Sequence, residues 1–242
     1  MLNITRLYGG ISQPADALRY GHGHGAPKSA FERRPIVVWN ITRRCNLKCL
    51  HCYSNSDAKF YPGELIWTQM KEVVNDLTAF EVPAVLLSGG EPMIHPRFFE
   101  LAALIRETGL RVTVSTNGTM IDLSAAERLK KIGVTYVGIS LDGIGEIHDQ
   151  FRGRAGTFEK VRSAFQNCRA VEQKVGLRLT LTQHTIDELD RILDFIEDND
   201  IQRVCFYHLV YSGRGSDLSD VSHKDVRVTI DKIMDRTRLW VE

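Results

Sequence analysis

Three of the five cysteines of the chain fall within eight positions, as Cys45-x3-Cys49-x2-Cys52 in RRCNLKCLHC, residues 43–52. Thiolates at this spacing are metal ligands. A structural zinc site takes four ligands and a catalytic one takes three plus water. A cubane iron–sulfur cluster normally takes four thiolates, so three would leave one iron open. His51 would complete a Cys3His zinc site, yet its position next to Cys52 makes it hard to turn inward with its neighbours. Packed apolar cysteines are a poor account of thiols in a polar loop flanked by Arg43, Arg44 and Lys48. The loop therefore favours an iron–sulfur cluster over zinc. Its cations either offset the anionic thiolates or are simply solvated.

Other chemistry-bearing clusters recur along the chain. In Ser88-Gly89-Gly90-Glu91-Pro92 the two glycines allow close backbone approach to a ligand, and carbonyls with Glu91 can accept from an ammonium group. A plain strand-to-helix turn is the competing account. Ser115-Thr116-Asn117-Gly118 follows, then Ser140-Leu141-Asp142-Gly143. The hydroxyl of Ser140 and the carboxylate of Asp142 suit ribose hydroxyls or an amino-acid head group, or an Asp-Gly turn. Thr180, Thr182 and Gln183 come next, and His208 to Gly215 (HLVYSGRG) last. His208 is either a substrate-facing group or a hydrogen-bonded rim residue. His22 and His24, in the Gly-rich GHGHGAP, have the imidazoles that ligate iron, but a solvated arm is the favoured reading.

These clusters need a scaffold that brings them together. Apolar runs of strand length at 36–42, 84–88, 111–116, 136–142, 177–182 and 203–210 alternate with amphipathic helical patterns at 67–80, 96–109, 123–133, 157–176, 186–200 and 223–240. This is the pattern of repeated βα units on a parallel sheet. Each polar cluster falls directly after a strand, so all map to one rim, where parallel βα folds place their chemistry. Six units are fewer than the eight that close a full barrel. The expectation is an α/β fold, a partial (β/α)6 TIM-type barrel, open on one side with two edges that need cover. Residues 1–34 read as an N-terminal arm and 35–242 as the core.

Composition narrows the function classes. A hydrophobic share of 43% is that of an ordinary globular chain, and a formal charge of +1 argues against a bulk nucleic-acid or membrane-surface binder. No apolar run approaches the roughly 18 residues a membrane span needs. The N-terminus has no charged region followed by an apolar stretch, so no signal peptide is expected. An odd number of cysteines, three of them crowded, points to a reducing cytoplasm rather than a disulfide framework.

CxxxCxxC followed by Tyr53, then GGEP, STNG and SLDG at strand ends, resembles the radical S-adenosylmethionine (radical SAM) enzymes over residues 36 to about 215. The resemblance implies a [4Fe–4S] cluster on Cys45, Cys49 and Cys52, with SAM chelating the open iron. One electron then cleaves SAM to methionine and a 5′-deoxyadenosyl radical that abstracts a substrate hydrogen atom. By the same resemblance Tyr53 borders the adenine, and Gly89, Gly90 and Glu91 receive the methionine ammonium. Ser140 with Arg152 holds the carboxylate or ribose, and Asn117, Asp142, Thr182 and Leu209 lie around the nucleoside. His208 and Tyr211 are the candidates for a catalytic role toward substrate.

A narrower resemblance lies in LYGG…PADALRYG, VVWNITRRCNLKCLHCY, HDQFRG (148–153) and CFYHLVYSGRGS (205–216). These are similar to the radical SAM enzymes of tetrapyrrole side-chain chemistry: the 12,18-didecarboxysiroheme deacetylases of alternative haem biosynthesis and the related NirJ proteins of haem d1 biosynthesis. They imply a didecarboxysiroheme substrate and a low-potential donor such as ferredoxin or flavodoxin, with no nucleic-acid or membrane partner. That family continues into a C-terminal auxiliary-cluster domain, which is expected to be absent from this chain. Cys168 and Cys205 read as core thiols. A peptide-modifying radical SAM enzyme with an auxiliary-cluster domain is the alternative, to be told by a precursor-binding groove. A non-catalytic iron–sulfur carrier would need neither GGEP nor SLDG.

Overall fold

β1 (Val37–Thr42) is the first strand of a computed structural model that describes residues 34–241 together with Ile4, Tyr8 and Gly10. The rest of the expected arm, with His22 and His24, lies outside the described residues. The elements then alternate: α1 (Trp67–Ala79), β2 (Ala84–Gly89), α2 (Phe98–Glu107), β3 (Arg111–Thr116), α3 (Leu123–Ile132), β4 (Tyr136–Ser140), α4 (Glu146–Arg152), α5 (Thr157–Ala170), β5 (Val175–Leu181), α6 (Gln183–Ile186), α7 (Leu189–Asp198) and β6 (Val204–His208). Pro35–Ser219 form one compact unit. Residues 220–242 fall with 1–34 in a second one, whose described part is chiefly α8 (His223–Val241).

The strands form one parallel sheet in the order β1-β2-β3-β4-β5-β6, each next to its sequence neighbour. Consecutive order is that of a barrel wall, so the partial barrel expected from the sequence is what forms. The two faces differ. Val85, Leu87, Val114, Ile139, Leu177 and Leu179 are completely buried on the face that the helices cover. Residues alternating with them, such as Ser88, Ser115, Ser140, Arg178 and Thr180, are half-buried. A strand buried on both faces would read as a continuous apolar run. Polar alternation instead marks a concave face that is not an apolar core.

Two boundaries moved. The helix expected over 157–176 stops at Ala170, because Val175 and Gly176 pair with Val137 and Gly138 and so begin β5. The helix expected over 186–200 begins only at Leu189 as α7, after the short preceding helix α6, which Thr182 caps through its side chain. α4, within GEIHDQFRG, was not expected as a helix.

Candidate active site

The cysteine loop follows β1 and is held by backbone from distant elements. Cys45 N–H donates to the Asp57 carbonyl (2.8 Å), and Lys48 and Leu50 N–H donate to the carbonyls of Arg152 (3.2 Å) and Phe151 (2.9 Å). From beyond β6, Arg214 Nε donates to the Cys49 carbonyl (2.7 Å) and its Nη2 to the Ser56 carbonyl (2.9 Å). The Arg214 N–H adds a bond to the Cys52 carbonyl (3.0 Å). Close packing there requires glycine: at Gly213, with φ 58°, a Cβ would lie 2.4 Å from the Cys52 carbonyl oxygen.

Every one of the three sulfurs receives a donor. Cys45 Sγ accepts from Leu47 N–H (3.4 Å) and from Asn117 Nδ2 (3.9 Å), and Cys49 Sγ accepts from Arg152 Nη1 (3.6 Å). Cys52 Sγ accepts from Ser56 N–H (3.4 Å) and lies 3.4 Å from the Ser54 hydroxyl. Burial pushes the Cys45 thiol up to about 12 and raises that of Cys49, the latter against the pull of Arg152. Burial also works against ionisation of Cys52, but the Ser54 and Ser56 hydrogen bonds and the Arg214 charge outweigh it and hold it low. The cations that reach the sulfurs are thus Arg152 and Arg214. Arg43 instead donates to the Ser54 carbonyl and stacks on Tyr61, while Arg44 and Lys48 are exposed.

All three thiols are free. Among the described residues no three His, Cys, Asp or Glu side chains are placed to hold a single metal ion. A cubane makes a different demand, since each thiolate binds its own iron. An all-sulfur donor set ringed by N–H and O–H donors fits such a cluster, because hydrogen bonds to sulfur and nearby cations offset its negative charge. An open cavity of about 450 Å³, lined by Cys45, Asn46, Lys48 and Asp57 among others, adjoins the loop. His51 lies flat on Phe151, with ring centroids 4.9 Å apart, and forms an aromatic wall under the loop.

Glu91 is completely buried and joins two strand-end loops. Its Oε1 accepts from Met93 N–H (3.1 Å) and the Thr116 hydroxyl (2.8 Å), and its Oε2 from Asn117 N–H (2.7 Å). Burial raises its carboxyl despite these donors. Most of its accepting capacity is therefore taken. What the SGGEP loop has left for an ammonium group is chiefly backbone carbonyl. The loop also completes the pairing with β1: Gly90 and Glu91 N–H donate to the carbonyls of Thr42 and Arg44, and a Cβ at Gly90 would lie 2.2 Å from the latter oxygen. Asn117 bonds Asn46 Oδ1 through Nδ2 (2.8 Å) and so reaches the cysteine loop directly.

Asp142 and Arg152, both buried, form a close ion pair. Asp142 Oδ1 also accepts from Thr180 N–H (3.2 Å), and Asp142 N–H donates to His148 Nδ1 (3.2 Å). Burial opposes the Asp142 charge, but Arg152 outweighs it and holds the carboxyl below its ordinary value. Tyr53 is partly exposed, its hydroxyl donating to Asn40 Oδ1 (3.3 Å). Leu209 and Thr182 are buried, whereas His208, the last residue of β6, and Tyr211, beyond it, are exposed.

A family model described as the Radical SAM superfamily matches residues 39–196. The chain belongs to that superfamily. Its cofactors are a [4Fe–4S] cluster and SAM, and the cysteine loop supplies a three-thiolate set for the first. Over 98% of its length the chain is 44% identical to the Fe-coproporphyrin III synthase of Methanosarcina barkeri, covering 61% of that protein. It is 42% identical to the pre-heme d1 synthase of Dinoroseobacter shibae over 84% of the chain and 51% of the relative. The AdoMet-bound structure of anSMEcpe superposes with a TM-score of 0.71 at 24% identity, over 83% of this chain and 59% of that one, which shows the shared fold. The chain thus spans between 51% and 61% of those two relatives' length.

Asn117 ties Cys45 to Glu91, and Arg152 ties Cys49 to Asp142, so two networks meet at the cysteine loop. Two residues were missed. Arg214 was legible only as part of SGRGS, since nothing in a sequence tells which loop a distant arginine will grip. Asn46, inside the cysteine loop, carried no signal at all. Cys168 is fully buried in α5 as a core thiol, while Cys205 is only half-buried on β6. Among the described residues no helix is long and apolar enough to cross a membrane.

Proposed function

We propose that this chain carries the SAM-cleaving core of an enzyme that removes acetate or propionate side chains from 12,18-didecarboxysiroheme in haem or haem d1 formation. The observation that carries this reading is the 44% identity along nearly the whole chain to a protein named for making an iron tetrapyrrole. The three-thiolate loop and the shared fold support the chemistry. When bound, the cluster and SAM supply a reductively generated 5′-deoxyadenosyl radical that takes a hydrogen atom from the substrate.

The residues of the chain hold and exclude. Cys45, Cys49 and Cys52 ligate, with Arg152 and Arg214 offsetting their charge. Gly89 to Glu91 offer carbonyls to the SAM ammonium, Ser140 faces the concave side beside its carboxylate or ribose, and Tyr53 borders the base. Asn117, Asp142, Thr182 and Leu209 shape the nucleoside pocket, Asp142 by fixing Arg152. His208 and Tyr211, exposed at the end of β6 and just beyond it, are assigned a role toward substrate. Residues 35–242 act as the core and 1–34 as an arm. A ferredoxin- or flavodoxin-like donor in a reducing cytoplasm suits free thiols and a low-potential cluster.

The test is anaerobic incubation of the iron- and sulfide-reconstituted protein with SAM, dithionite and 12,18-didecarboxysiroheme, followed by mass spectrometry. A tetrapyrrole lighter by the lost side chains, together with 5′-deoxyadenosine, is expected. Deoxyadenosine formation with the tetrapyrrole mass unchanged would overturn the substrate assignment.

A further inference from the structure

The concave face carries a group of cations that the SAM-facing network does not use. Arg178 on β5 pairs in register with Ser140 on one side and Cys205 on the other. Arg203, whose carbonyl accepts from Leu177 N–H (2.8 Å), precedes β6 on the same face. Two facing glycines make room beneath. A Cβ at Gly138 would lie 2.6 Å from Arg178 Cδ and 3.3 Å from the Tyr136 ring, and one at Gly176 would lie 2.5 Å from the Tyr136 hydroxyl. The Arg178 guanidinium stands 4.7 Å from the Tyr207 ring centre and that of Arg203 5.2 Å from the Tyr136 ring. Among the described residues neither guanidinium has a carboxylate or hydrogen-bonding partner, and the buried Tyr136 hydroxyl has none either.

We propose that Arg178 and Arg203, with the Tyr136 hydroxyl between them, bind carboxylate groups of the substrate. Two like charges, each over its own tyrosine ring, are mutually repulsive, and a buried hydroxyl without a partner is destabilising. Water would solvate the donors but bring no negative charge. Carboxylates do both, and planar guanidinium is the group that grips them bidentately. Two sources of carboxylate are at hand, SAM and substrate. SAM has one such group, whereas the site has two arginines. The site also extends away from the rim: Tyr136 lies four residues before Ser140, on the order of 13 Å along the strand. A macrocycle with several acidic side chains matches that length and that valence. This assignment rests on the tetrapyrrole reading above.

The test uses the reconstituted protein under anaerobic equilibrium dialysis, with coproporphyrin III and its tetramethyl ester as probes and SAM measured in parallel. Wild type should bind the acid at least about 10-fold more tightly than the ester. Arg178→Gln and Arg203→Gln should each weaken binding of the acid about 10- to 100-fold, with Arg178→Lys recovering part, while the SAM dissociation constant stays within about twofold. Thermal midpoints check that the variants are folded, and the acid-to-ester ratio of the wild type decides the matter if they are not. Equal binding of acid and ester, or of acid by wild type and folded Arg178→Gln, overturns the anchor but leaves the tetrapyrrole reading standing. Weakened SAM binding with coproporphyrin binding unchanged overturns it by assigning the arginines to SAM. Failure of the wild type to bind either probe sinks the tetrapyrrole reading, and the anchor with it.

Discussion

Arg214→Ala should loosen the cysteine loop without touching a sulfur. The variant removes two hydrogen bonds from a charged donor, to the carbonyls of Cys49 and Ser56, and leaves the backbone bond to Cys52 in place. Bonds of this kind are worth about 1.5–3 kcal/mol each. Arg214 is half-buried, so water replaces part of what is lost. A net loss of roughly 2 kcal/mol in local loop stability is the working figure, which is roughly 30-fold in the population of the open loop. The assay is the rate at which a ferrous chelator strips iron from the reduced, reconstituted protein, followed by absorbance in an anaerobic cell. Stripping requires the loop to open, so the rate should rise by about that factor, and Arg214→Lys should recover part of it. An unchanged rate in a folded Arg214→Ala protein would refute the clamp and reduce SGRGS to a surface turn.

Replacing any of Cys45, Cys49 or Cys52 by Ala should abolish the four-iron chromophore on reconstitution, whereas Cys168→Ala and Cys205→Ala should retain it; iron and sulfide analysis decides. Glu91→Gln should cost about 2–4 kcal/mol in urea denaturation, because its new amide N–H₂ would face the Asn117 or Met93 N–H as donor against donor. Acid stability should depend on His148, which burial holds down at about 3 in the fold. The unfolded chain protonates it near 6.5, so stability falls as pH drops from about 6.5 toward 3, by an amount of the order of 5 kcal/mol. His148→Asn, which keeps an acceptor for the Asp142 N–H, should flatten that part of the stability-against-pH curve for the cluster-free protein, and an unaltered slope would show that other groups carry it.

How far these features were legible in the sequence depended on their range. βα alternation is a local signal, so strand and helix identity followed from apolar period alone. Ends were less legible where pairing competed with helical spacing. Residues 171–176 fit the α5 pattern well enough, yet Val175 gains a strand partner in Val137 and leaves the helix. Residues 146–152 were too short and polar for a periodic signal to emerge. The site followed the same division. Cysteine spacing is local and was readable. The donors to the sulfurs from outside the loop come from Asn117 and Arg152, and the clamp from Arg214, all brought near only by assembly of the sheet.

That distribution has a mechanical consequence. A loop carrying three buried thiols has little regular structure of its own, and its backbone N–H and carbonyl groups need partners. Here those partners come from the end of α4, from SGGEP after β2 and from SGRGS after β6, so the loop is ordered only when most of the sheet is assembled. The Arg152 side chain adds a link from the loop to the end of β4, pairing with Asp142 while donating to Cys49. Loss of sheet closure anywhere between β2 and β6 would therefore reach the cysteines before it unfolded the strands. Cluster retention should be a more sensitive reporter of distant damage than circular dichroism. In a Gly138→Ala variant, whose new methyl group presses on Arg178 rather than on the loop, iron should be lost at a lower temperature than helicity, and simultaneous loss would show that loop and sheet melt as one unit.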